Sequence, residues 1–138
     1  MKRLLLVLCL ALPLPLMADI AIIVNAGNPV KSLSAEEVAA LYLARTRTFP
    51  SGEYALVFDL PRDNQLRQRF FRAVASMGIS QVNTYWSRLM FSGQEIPPQP
   101  LPNEQAVIDI VRRNSGAIGY IGFVPQDAGV RTVMHHKD

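Results

Sequence analysis

At 138 residues the chain is long enough for one domain with a proper core and too short for two ordinary ones. Its 14 basic and 11 acidic side chains leave a formal charge of only +3, a weak basis for binding nucleic acid. A single cysteine, Cys9, excludes a disulfide framework, so apolar burial must hold the fold.

Met1-Lys2-Arg3, the apolar run from Leu4 to Leu12, and Pro13 to Ala18 have the layout of a secretory signal peptide. The run is too short and too proline-broken to span a bilayer. Cleavage after Ala18 divides the chain into a signal at 1–18 and a domain at 19–138. Cys9, Lys2 and Arg3 leave with the signal, and the formal charge of +3 falls to +1. The expected product is a nearly neutral, cysteine-free periplasmic or secreted domain with no membrane span.

Ile20-Ala21-Ile22-Ile23-Val24 reads as a strand covered on both faces. Asn25 to Pro29 is a loop by composition. Ser34 with Glu37 predicts a capping box, with Leu33 and Val38 as its staple, and a helix running through Tyr42. Arg45 and Arg47 form a basic loop, and Phe49-Pro50-Ser51-Gly52 is a turn. Tyr54 to Phe58 is an expected buried strand, followed by a polar crossing from Asp59 to Gln65. Leu66, Phe70, Val74 and Met77 then mark the apolar face of a helix. Asp59 or Asp63 is a candidate cap for that helix.

Gly78 reads as a helix C-cap and Ser80 as the next N-cap. Val82, Trp86, Leu89 and Met90 predict a second apolar helical face, with the Trp86 indole N–H hydrogen-bonded in the core. Four prolines between Ser92 and Pro102 make an extended connector. Asn103 caps a helix with Val107, Ile110 and Val111 inward, closed by Gly116. Ala117 to Ile121 and Gly129 to Met134 read as strands, and His135-His136 as a frayed tail without the ligands for a metal. Strands alternating with helices imply an α/β fold with a mixed, mostly parallel sheet flanked by helices.

The crossing at Asp59 to Gln65 is the candidate site. The first N–H groups of a helix point outward with the positive end of its dipole, and Arg62 can add a bidentate fork for a phosphate or carboxylate. The candidate anion ligands are Arg62, Asp63, Asn64 and Gln65. No cysteine nucleophile, Gly-x-Ser-x-Gly, Walker loop or metal cluster appears, so neither an enzyme nor a cofactor is expected.

Leu33-Ser34-x-x-Glu37, Phe49-Pro50-x-Gly52, the strand before Arg62, Phe70-Phe71, Tyr85-Trp86, Phe91-x-Gly93, Pro97 and Gly116 to Ile121 follow one another in an order that resembles the small single-lobe phosphate-binding proteins of ABC transporters. The resemblance implies one lobe of a type II periplasmic-binding-protein fold, with an oxyanion held at helix N-termini. It maps the family's ligand Arg to Arg62 and its aromatic to Phe70 or Phe71. The family's Ser-Gly-Thr turn falls instead on Asn64-Gln65-Leu66-Arg67. The implied ligand is inorganic phosphate or a related oxyanion, and the implied partner a transporter permease. The alternative is a cell-envelope interaction module, with a protein partner, that has lost its anion site.

Overall fold

The structure is a computed structural model that describes residues 19–137, so the proposed signal at 1–18 and its cleavage point lie outside the described residues. Five strands form one mixed sheet in the order β3-β2-β4-β1-β5. They are β1 (Asp19–Asn25), β2 (Leu56–Asp59), β3 (Gln99–Pro100), β4 (Ala117–Ile121) and β5 (Val130–Lys137). β1 runs antiparallel to both β4 and β5, whereas β2 runs parallel to β3 and β4. The expected mixed α/β layer is therefore present, with its parallel pairing confined to the β2 side.

Ile20 to Val24 are all buried, as a central strand with both faces covered requires. Its neighbour β4 is buried throughout. α4 (Glu104–Arg113) packs against β4 and β1, and a Cβ on Gly119 would meet Val107 Cγ1 at 2.4 Å. The bare backbone at Gly119 is what lets helix and strand approach so closely.

α1 (Ala35–Tyr42) carries the expected capping box: Ser34 Oγ accepts from Glu37 N, and Glu37 Oε1 accepts from Ser34 N. The turn at Phe49 to Gly52 also forms. Gly52 N donates to Phe49 O at 2.9 Å with Gly52 at φ +99°, and Thr48 bridges to Tyr54 beyond it. Arg47 pairs with Glu95, tying this loop to the proline-rich segment. Asn103 caps α4 by accepting from Ala106 N.

Several boundaries differ from expectation. The strand after the turn starts at Leu56 rather than Tyr54, and Tyr54 and Leu56 are exposed. α2 (Gln65–Ala75) ends at Ser76, which takes the left-handed conformation at φ 52°. Gly78 does not end α2. It opens α3 (Ile79–Phe91), with its N–H donated to Gln81 Oε1. Met90 points outward, more than half exposed. Ile108 replaces Ile110 among the buried residues of α4, and Asn114 rather than Gly116 is its C-cap.

His135 and His136 do not fray. Both lie in β5, paired with β1, and His135 Nε2 sits 3.2 Å from Asp19 Oδ1. Among the described residues no group of acidic, histidine or cysteine side chains could hold a metal ion, and no helix is long and apolar enough to cross a membrane.

Candidate functional site

β2 ends on a carboxylate driven into the core. The Asp59 side chain is only 5% exposed, and each of its oxygens is occupied. Oδ1 accepts from Leu60 N at 2.8 Å and from the Tyr120 hydroxyl, and Oδ2 accepts from Arg67 Nε at 3.0 Å. Such a charge is stable in the interior only when it is paired and fully hydrogen-bonded. Asp59 is thus the hub of the site rather than a helix cap.

The aromatic cluster around it fixes the geometry. Phe70 stacks on Tyr120 with centroids 3.9 Å apart and planes within 3°, while Tyr42 meets Phe70 edge-on at 4.7 Å. Tyr42 donates to Phe58 O at 2.7 Å, anchoring α1 to the end of β2. The Arg67 guanidinium lies 5.1 Å from the centre of the Phe71 ring, a cation–π contact.

Both tyrosines are held in their neutral form. Burial pushes each hydroxyl above the ordinary 10.0, and the negative charge of Asp59 adds to it; for Tyr120 the hydrogen bond to Asp59 adds further. A raised folded pKa contributes stability that is complete below the unfolded value and lost as pH rises through the folded value. The urea midpoint is therefore expected to fall above pH 10.0, and more gently in Tyr120→Phe, when unfolding is followed across alkaline pH.

Arg67 spends one nitrogen on Asp59 and leaves another for something else. Arg67 Nη1 and Trp86 Nε1 are buried and have no hydrogen-bond acceptor among the described residues. Both residues are among those lining one open pocket of about 200 Å³, together with Arg62, Asn83, Ser87, Pro97 and Pro98. An unpaired buried donor costs about 1–3 kcal/mol, and here two such donors belong to residues that line the same pocket. The space is smaller than the roughly 300–1,000 Å³ of drug-sized pockets, which limits the ligand to a small one. Arg62 and Arg67 against Asp59 leave the lining with a net positive charge, so an anion rich in acceptors is the complementary shape and sign.

The sequence-predicted residues separate here. Arg62 lines the cavity. Asn64 is the N-cap of α2, its Oδ1 accepting from Leu66 N at 2.8 Å and Arg67 N at 3.3 Å. Those two N–H groups, expected to face an anion, are satisfied by the chain itself. Asp63 and Gln65 are exposed and lie outside the lining. Sequence reasoning missed Arg67, Asn83 and Ser87, and it expected Trp86 to be a hydrogen-bonded core residue, whereas its indole N–H has no protein acceptor among the described residues. One signal was available: Arg67 falls among Leu66, Phe70, Phe71 and Val74 on the apolar face of α2, where a charge is rarely left without a task.

Comparison with known proteins points the same way at the level of fold. No family model matches the chain, and no curated protein does. Solved structures do. A protein from Clostridium perfringens assigned as a phosphate ABC transporter substrate-binding protein, with bound phosphate, is similar at a TM-score of 0.65 and 22% identity, over 84% of this chain and 45% of that one. An ABC-type phosphate transport receptor from Vibrio cholerae matches at 0.64 and 17% identity, over 84% and 46%. A third, from Planctomyces limnophilus and described as a possible phosphate-binding protein, matches at 0.51 and 13%, over 78% and 37%. The chain spans less than half the length of each. It has a phosphate-binding-protein-like fold, as the order of landmarks in the sequence led us to expect.

Proposed function

We propose that the chain is a non-enzymatic periplasmic solute-binding protein that takes phosphate or a related small oxyanion, for ABC-type uptake or sensing. The observation that carries this reading is that Arg67 and Trp86, each with a buried N–H that has no acceptor among the described residues, both line one small pocket of net positive charge. Arg67 and Trp86 are the inner ligands, Arg62 the outer cation, and Asn83 supplies an amide that can donate, while the Ser87 hydroxyl donates to Asn83 O at 2.9 Å. Asn64 acts by fixing the start of α2, and Asp63 and Gln65 take no direct part. The phosphate bound in the similar Clostridium perfringens protein supports the ligand class.

A thermal or urea unfolding series with phosphate, sulfate and small carboxylates tests the reading. A true ligand at a hundredfold excess over its Kd adds about 2.7 kcal/mol of stability, and Arg62→Ala reduces that gain. Stability indifferent to every anion removes the reading.

One observation favours the second reading, an envelope interaction module. The N–H groups that open α2 are capped by Asn64, and elsewhere on the surface Phe91 is 97% and Ile96 83% exposed. Apolar side chains of that size at the surface are what a protein partner covers.

A further inference from the structure

α3 is held to the molecule along a narrow stripe. Val82 and Trp86 are its buried residues, and the Tyr85 hydroxyl donates to Leu43 O. Its other side forms part of a shallow, open groove lined by Arg62, Thr84, Ser87, Arg88 and Phe91 among others. No lining residue of the groove is acidic. From Asn64 to Gln94 the chain carries four arginines and not one carboxylate. Among the described residues, Arg62 and Arg88 make no side-chain hydrogen bond or ion pair, so both guanidinium groups keep their full donor set. Phe91 stands fully exposed at one end.

Each of these features asks for a different part of one occupant. Two unpaired guanidinium groups match carboxylates, which they hold in a bidentate fork. Phe91 offers an aromatic face to an apolar side chain. The Thr84 hydroxyl can donate to or accept from a peptide backbone, and the Ser87 hydroxyl, which donates to Asn83 O, can still accept. Arginine and aromatic residues together are also the composition of protein–protein hot spots.

We propose that this groove seats an acidic polypeptide segment bearing an apolar side chain, presented by another protein. A second copy of this chain is the poorer match. Its one adjacent acidic pair among the described residues is Glu36-Glu37, flanked by Leu33 and Val38, which are buried. The proposal rests on the interaction reading and is independent of what enters the cavity. Arg62 borders both spaces, so the test is placed on Arg88 and Phe91, which border only the groove among these two.

The probe is a short fluorescein-labelled peptide rich in glutamate with a central leucine pair, followed by anisotropy. Saturable binding that weakens with salt is expected, reduced about tenfold or more by Arg88→Gln and by Phe91→Ser. Both residues are exposed, so melting temperatures should be unchanged, and oxyanion titrations of the same variants should match the wild type. The proposal is overturned by failure to bind, by equal binding of a lysine-for-glutamate peptide or of phosphatidylglycerol vesicles, or by indifference to both substitutions. Sedimentation showing self-association abolished by Phe91→Ser would overturn it too, in favour of a second copy. Loss of the oxyanion reading alone would leave the peptide result standing.

Discussion

Arg67→Met is expected to lower unfolding stability by about 3–5 kcal/mol, the range for a buried ion pair broken by removing one partner. The substitution leaves the Asp59 carboxylate in the core with Tyr120 and Leu60 N as its hydrogen-bond donors and with no opposing charge at 3.0 Å. Asp59→Asn alone should also be costly, because it leaves the buried Arg67 guanidinium without its counter-charge. The double variant should recover part of the loss, since both charges are then gone, and that sign of coupling separates a buried pair from two independent residues. Urea unfolding of the four proteins measures it. A double variant whose loss equals the sum of the two single losses would mean that Asp59 and Arg67 do not act as a pair.

Phe70→Ala should cost a similar amount, about 3–5 kcal/mol, by a different route. Phe70 is fully buried, stacked on Tyr120 and edge-on to both Tyr42 and Phe71. Truncation removes its transfer free energy, leaves a cavity, and forfeits ring contacts worth roughly 0.5–1.5 kcal/mol per pair. The stability of a whole domain is only about 5–15 kcal/mol, so this variant should unfold far more readily than wild type. Because Tyr120 carries the hydroxyl that holds Asp59, near-ultraviolet circular dichroism should report loosening at the site as well. Phe70→Leu keeps most of the volume and should lose less. A loss below about 1 kcal/mol for Phe70→Ala would show that this cluster does not bear the core's packing.

The sequence was most legible where structure is set locally. The run at Ile20 to Val24 can bury both faces only as a central strand, and Ser34 with Glu37 closes a capping box within four residues. Asn103 likewise announces α4. Legibility failed where the deciding partner is far along the chain. His135 and His136 become strand because β1 offers its edge, which composition near a terminus does not reveal. Gln99 and Pro100 pair with Phe58 and Asp59 inside a segment read as connector.

The site followed the same rule. Arg62 and the α2 start were found from local pattern, but the cavity depends on Asp59, Arg67 and Trp86 meeting through the packing of α2 and α3. Gly78 was misread because glycine serves either helix end; Ser76 took the left-handed position first and left Gly78 to open α3. Asn64 was placed among the ligands, yet its side-chain oxygen is engaged in capping α2. Local chemistry pointed to the corner between β2 and α2, and tertiary packing decides which residues line the pocket beside it.

Trp86 is the single tryptophan of the chain and lines the cavity, so its fluorescence reports on that space without a competing signal. Titration with phosphate and sulfate should give a saturable change in emission. The midpoint should rise about tenfold or more in Arg67→Lys, which keeps a positive charge opposite Asp59 but loses the second guanidinium nitrogen. An emission spectrum unmoved by any small oxyanion, in protein that still unfolds cooperatively, would contradict the cavity's role as an anion site.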